Sequence, residues 1–311
     1  MSRIFMKCHQ YVSNSKSVSS TGRFESLLLT VMNMQPRNDK LFSLFIYLIT
    51  GCGFMSVAQA ESARTNTSSG NEFTISVSSY LYEEPSLGMS TKGDKFGVGH
   101  TGALVLNGDW FLKDDVRFAN GAVDYIGSGY QAGVPDWYAE ARGLIGRDIQ
   151  FGTSVFAPYV GLGYRHLFND LRGYSSDGSL GYRRESNYLY VPIGVTHRFR
   201  LQDSAVWAST FEFDKLLTGR QFSRLSDLVG HAGYSDAPDI SNVQSGGFGF
   251  RADVMYETGD LAFGPYLNIW KIDKSDSVVR PITNNSVTTW YSFTEPQNRT
   301  TEFGMRMKFK F

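Results

Sequence analysis

From residue 72 to the last residue, apolar and polar side chains alternate nearly everywhere with a period of two, which is the period of a strand and not of a helix. The C-terminal segment shows this most plainly. Phe303, Met305, Met307, Phe309 and Phe311 share one face, while Glu302, Gly304, Arg306, Lys308 and Lys310 take the other. A soluble edge strand with such a face would be a template for aggregation. The same pattern is stable where the apolar face meets lipid and both strand edges are paired, as in a closed transmembrane barrel. No run of about 20 apolar residues follows residue 60, which argues against a helical membrane protein.

The alternation divides into ten predicted strands, at 72–82, 95–112, 116–125, 136–149, 155–168, 185–199, 204–217, 246–257, 261–273 and 300–311. Eight or twelve strands are the alternatives. Connections after the even strands are short: 113–115, 150–154, 200–203 and 258–260. Those after the odd strands, 83–94, 126–135, 169–184, 218–245 and 274–299, are longer and rich in Gly, Asp, Asn and Pro. An even strand count with this asymmetry predicts an all-β, antiparallel up-and-down barrel in a membrane, with the long loops outside the cell. Tyr80, Tyr82, Trp137, Tyr164 and Trp207 stand near strand ends and are expected in interfacial girdles.

The first sixty residues read as a leader. Arg37 and Lys40 precede the apolar run Leu41–Ile49, and Ala58 and Ala60 form a small-residue exit. This is the order of a secretory signal peptide, cleaved after Ala60. Met34 would give a peptide of ordinary length, so residues 1–33 are an upstream extension. The run Ile49-Thr50-Gly51-Cys52 offers a second exit, with Cys52 lipidated. Residues 61–71 are expected as a flexible lead-in, and residues 72–311 as the barrel domain. Both cysteines, Cys8 and Cys52, precede the favoured cut, so no disulfide holds the exported chain together. The leader removes six of the 30 basic and two of the 30 acidic residues, leaving a mildly acidic chain. Such a balance does not suit a nucleic-acid partner.

On the polar faces lie Glu140, Arg142, Arg165, Glu212, Asp214, Arg251, Asp253, Glu302, Arg306 and Lys308. Both signs occur in similar numbers. A barrel of about ten strands is largely filled by its own side chains, whereas open aqueous channels need about 16. The expectation is a salt-bridged plug, because an unpaired buried charge is costly. The alternatives are a narrow polar path for small solutes and a catalytic cluster.

As a pattern, the whole exported chain resembles the small outer-membrane β-barrel proteins of Gram-negative bacteria. The OmpV/MipA-like and OmpA-like barrels are the nearest types. The resemblance implies outer-membrane lipid as the surroundings. It also implies that the barrel-assembly machinery reads the terminal strand, with its final Phe311. Ten-stranded omptin proteases are similar in strand count, but the sequence has no Asp-x-His pair, and Asp114-Asp115 fall on an expected inner turn. Barrel deacylases and phospholipases would need a His/Ser pairing. His166 and His197 fall on outward faces by parity, and His231 lies in a long loop. No metal-ligand spacing and no phosphate-cradling loop is present, so no cofactor is expected. The expected function is non-enzymatic, with the loops for a surface ligand or host protein or the body for envelope structure. Arg220, Arg224, His231 and Tyr234 in the fourth loop and Trp290, Tyr291 and Phe293 in the fifth either form a contact patch or pack the loops together.

Overall fold

The computed structural model describes residues 65–311, except 203–204. The leader, with Ala58, Ala60, Cys8 and Cys52, lies outside the described residues. The strands in chain order are β1 (Gly70–Glu84), β2 (Met89–Val105), β3 (Trp110–Gly127), β4 (Gly129–Arg147), β5 (Ile149–Phe151), β6 (Ser154–Tyr174), β7 (Leu180–Gln202) and β8 (Ala205–Ser223). They continue with β9 (Tyr234–Asp236), β10 (Ile240–Gln244), β11 (Gly247–Thr258), β12 (Leu261–Ile272), β13 (Ser277–Asn284), β14 (Val287–Thr294) and β15 (Asn298–Lys310).

Ten of these close an antiparallel up-and-down barrel in the order β1, β2, β3, β4, β6, β7, β8, β11, β12, β15. Closure is made by β1 against β15, in register from Glu72 opposite Lys310 to Glu83 opposite Arg299. No edge remains along the barrel wall, so the backbone groups of the terminal strand are paired on both sides. Of the expected lead-in, residues 65–71 are described. Thr67 bonds Asp148 through its N–H at 2.6 Å and its hydroxyl at 2.9 Å, and β1 already begins at Gly70.

Period two puts apolar residues outside. Phe96, Phe118, Leu162, Ile193, Phe211 and Phe213 are all exposed on the outer face. Trp137 stacks there with Phe168 at 5.4 Å and lies 5.8 Å from Phe118. An exposed apolar surface that runs around a closed sheet is what lipid covers. On β15, Met307 is buried among Ile75, Leu261, Phe263, Met305 and Phe309, while Phe303 and the terminal Phe311 stay exposed.

The structure moves several boundaries. The turn expected at 113–115 is at Asn107–Asp109, where Gly108 (φ 73°) and Asp109 (φ 66°) adopt the left-handed conformation of a tight hairpin. Asp114 and Asp115 therefore lie within β3. The connections expected at 83–94, 126–135 and 169–184 are mostly strand, and shrink to residues 85–88, Ser128 and residues 175–179. Polar and glycine residues there read as loop, yet they keep the alternation and turn on Gly88 (φ 64°) and Gly129 (φ 75°). Barrel strands of 12 to 23 residues exceed the 9–11 that cross a bilayer, so the longest project beyond it. Two of the expected girdle residues, Tyr80 and Tyr82, point inward instead, because they share the parity of Ser78 and Glu84. Tyr164 and Trp207 are exposed outside.

Of the connections after odd-numbered strands of the barrel, only the last two are long, and they fold together. The strands β14, β13 and β9 form a separate three-stranded sheet, and β10 extends the barrel sheet beside β8. Leu225, Leu228, Tyr234, Ala237, Ile240, Ile282 and Phe293 bury against Leu180 and Tyr182 at the top of β7. This is a cap with its own apolar core. Arg183 grips Asp227 (2.7 Å), and Arg224 bridges Glu185 (2.8 Å) and Asp239 (3.1 Å).

Partial burial raises the Asp227 carboxyl, but hydrogen bonds from Arg183 outweigh it and hold the group below the usual range. Asp239 is lowered in the same way by Ser226 and Arg224. Their stabilisation is complete above the ordinary carboxylate pKa of about 3.9 and is lost as pH falls through the lower folded values. Pepsin cleavage within 224–246 should therefore rise steeply between about pH 4 and pH 2 while the barrel stays intact. Asp227→Asn should be cut already at the upper end of that range. Equal cleavage of variant and parent throughout would refute this.

Candidate functional site

The polar faces of opposite walls meet inside the barrel. One wall presents Glu302 (β15), Asn268 (β12), Arg251 (β11) and Glu212 (β8) as consecutive in-register neighbours. The other presents Arg117 (β3), Glu140 (β4) and Arg165 (β6) in one row, with Asp115 and Arg142 paired in the next. Three bridges cross the lumen between them. Arg251 reaches Glu140 with Nη1 3.1 Å from Oε2. Arg142 donates to Glu212 at 2.5 Å. Tyr138 donates to Glu302 at 3.0 Å.

Arg251 is the hub. Its Nε donates to Asp214 at 2.6 Å and lies 3.1 Å from Glu212 on the same wall, and its Nη2 donates to Glu140 on the far wall. Arg142 continues the chain to Asp115 at 3.3 Å, and Arg117 closes on Asp115 at 2.8 Å. Arg165 lies 3.6 Å from Glu140 with its guanidinium over the Tyr138 ring. Glu302 accepts from Tyr266 (2.8 Å) and Ser78 (2.9 Å) as well as from Tyr138. Glu140, Arg142, Arg165, Glu212, Asp214, Arg251, Glu302 and Arg306 are all buried. Asp253 and Lys308 are half-buried and pair with Arg306 (3.6 Å) and Glu72 (3.4 Å). All ten residues predicted for the lumen are thus inside it.

Sequence reasoning missed Asp115, because it placed 113–115 in a turn, and it missed Arg117 within the strand begun at 116. The hairpin signal at Asn107-Gly108 would have found Asp115. It also missed the aromatic half of the site. Tyr138, Tyr190 and Tyr266 are buried between the charges, and Tyr190 donates to Glu140. The signal was parity: Asp136, Tyr138, Glu140 and Arg142 recur at every second position of β4. Two inward glycines make room for the rings. A Cβ on Gly163 would lie 2.3 Å from the Tyr190 ring, and one on Gly194 would lie 2.5 Å from Tyr159. Nearer the outer end, Lys95 pairs with buried Asp136 beneath the Tyr80 ring, and Trp270 packs edge-on to Tyr190.

The histidines are elsewhere. His166 contacts Trp137 on the outer face and bonds Asn187 at 2.9 Å. His197 stacks on Phe156 at 4.5 Å, and His231 lies in the cap, bonded through its backbone to Leu228. None of the three meets the buried carboxylates. In the fifth loop, Phe293 is buried in the cap core and Tyr291 packs on it, whereas Trp290 is 67% exposed.

This arrangement is shared, as a fold, with a solved membrane barrel. No family model matches the chain, and no curated protein matches it. Among solved structures it is similar to the outer membrane protease OmpT from Escherichia coli, with a TM-score of 0.54 and 10% identity over 80% of this chain and 100% of that one. The β domain of the Bordetella autotransporter BrkA gives 0.37 and 12% over 79% and 100%. A major outer membrane protein from Thermus thermophilus gives 0.30 and 10% over 78% and 99%. The first of these establishes the closed antiparallel barrel.

Proposed function

We propose that the chain is an integral outer-membrane protein whose barrel is shut by its own side chains and whose outer cap is the working surface. It is a small barrel of the general kind represented by the OmpV/MipA-like and OmpA-like proteins. In this reading the leader exports it, the barrel-assembly machinery reads the strand ending in Phe309 and Phe311, and lipid surrounds the apolar wall. The role is non-enzymatic: a surface ligand or host protein at the cap, or mechanical support of the envelope.

The observation that carries this reading is the set of bridges across the lumen. Arg251 to Glu140, Arg142 to Glu212 and Tyr138 to Glu302 tie opposite walls together at one level. A solute crossing there must break several buried charge pairs at once, each costly to leave uncompensated. The test is swelling of liposomes that carry the refolded barrel, with small sugars and amino acids as osmolytes. The expected rate equals that of protein-free vesicles. Swelling by any of these solutes would favour the narrow-pore reading instead.

At the cap, Trp290 stands opposite Pro281 on the outer face of the β13–β14 hairpin, near Val279. Exposed aromatic and aliphatic side chains grouped this way suit contact with another surface.

A further inference from the structure

Between the Arg251 hub and the end of the barrel where β1 begins and β15 ends lies a cavity of about 30 Å³. Arg117, Arg306, Lys308 and Asp115 line it, together with Thr74 and Ser76. Three cations and one carboxylate therefore face one small space. The carboxylate is already engaged: Asp115 is held by Arg117 (2.8 Å), Arg142 (3.3 Å) and the Thr101 hydroxyl (3.2 Å).

Arg306 is the unusual member. It is 6% exposed, and its Nε has no partner among the described residues. The carboxylate it pairs with, Asp253, is 3.6 Å from Nη1, beyond hydrogen-bond reach. The guanidinium carbon lies over the Tyr266 ring, 4.0 Å from its centroid. Lys308 is similarly loose, 3.4 Å from Glu72. A buried guanidinium with unmade hydrogen bonds is costly, and the cavity beside it, lined by Val98, Val116 and Phe118 as well as by the charged groups, exceeds the roughly 10–15 Å³ that a single water needs.

We propose that this chamber binds a small inorganic anion of halide size, held by Arg306 and Lys308 with Arg117 opposite. A lining of three cations and one engaged carboxylate favours an anion over a metal cation, and a volume of about 30 Å³ favours a small one. Water would satisfy the donors, but Arg306 and Lys308 hold their carboxylates only at 3.6 Å and 3.4 Å, which leaves their charge loosely compensated. An anion satisfies the donors and compensates the charge, and its charge-assisted hydrogen bonds are the stronger ones. The site does not depend on whether the barrel conducts.

The test uses the full refolded barrel. Its unfolding is followed at constant ionic strength while bromide replaces gluconate, which is too large for the chamber. Above the dissociation constant, the folded-to-unfolded ratio of the parent should rise about tenfold for each tenfold rise in bromide. Arg306→Gln should flatten that dependence. In bromide-soaked crystals of the parent, anomalous scattering should place the ion within hydrogen-bond reach of Arg306 Nε, which keeps the proposal testable if the variant fails to fold. A parent with no bromide dependence, or crystals with no anomalous peak in the chamber, would overturn it and leave water as the occupant.

Discussion

Replacing Arg251 with methionine should cost the barrel about 3–5 kcal/mol, the range found when one partner of a buried charge pair is removed. The reason is local. Arg251 is the cation shared by Glu140, Glu212 and Asp214, all of them buried. Glu212 keeps Arg142, and Glu140 keeps only the more distant Arg165 at 3.6 Å. Asp214, already with one oxygen unbonded, is left with no cation among the described residues. Adding Asp214→Asn to the methionine variant should recover part of the loss, because a neutral amide does not need the counter-ion, while Glu140 stays charged opposite Arg165. Urea unfolding of the refolded protein in lipid vesicles gives both numbers. A loss below about 1 kcal/mol for the single variant, on the scale of an exposed ion pair, would mean that water reaches the hub and that the lumen is not closed.

Phe293→Ala should act on the other half of the molecule and leave this one alone. Phe293 is 2% exposed in the cap core, against Leu228, Tyr234 and Ile282 among others. Truncating a buried phenylalanine to alanine costs about 3–5 kcal/mol. The cap has its own sheet and its own apolar cluster, so that cost should fall on local opening and not on the barrel. Protease should then cut within 224–246 and 273–297, while the urea midpoint of the barrel stays where it was. Removing residues 275–298 altogether would be a poorer probe, because it deletes Ile282 and Phe293 together with Glu295, which ties Arg184 at the barrel rim. A fall of the barrel midpoint together with cap cleavage would show that the two are one cooperative unit.

The barrel was legible because period two survives in every strand and because lipid forbids an open edge. Outward Phe211 and Phe213 alternating with inward Glu212 and Asp214 are enough to give the wall its sides. Turn positions were less legible. Residues such as Lys92, Gly93 and Asp94 read as loop by composition, yet they form strand because neighbours on both sides complete their hydrogen bonds. The shift of one hairpin from 113–115 to 107–109 hid Asp115, which the β3–β4 register places beside Arg142. Composition also could not show that Tyr80 and Tyr82 face inward, since aromatic residues suit both a membrane girdle and a packed lumen. The pairing of specific charges was beyond sequence reasoning, because Arg251 and Glu140 lie 111 residues apart and meet only through closure.

If charge pairs shut the lumen, single-channel conductance in a planar bilayer will show it. The folded parent should be electrically silent. A barrel opened by Arg142→Ala and Glu212→Ala together, which removes one cross-lumen bridge from both ends, should show small steps if it remains folded. Stable, ion-selective steps from the parent itself would contradict the account and establish a continuous aqueous path past Arg251.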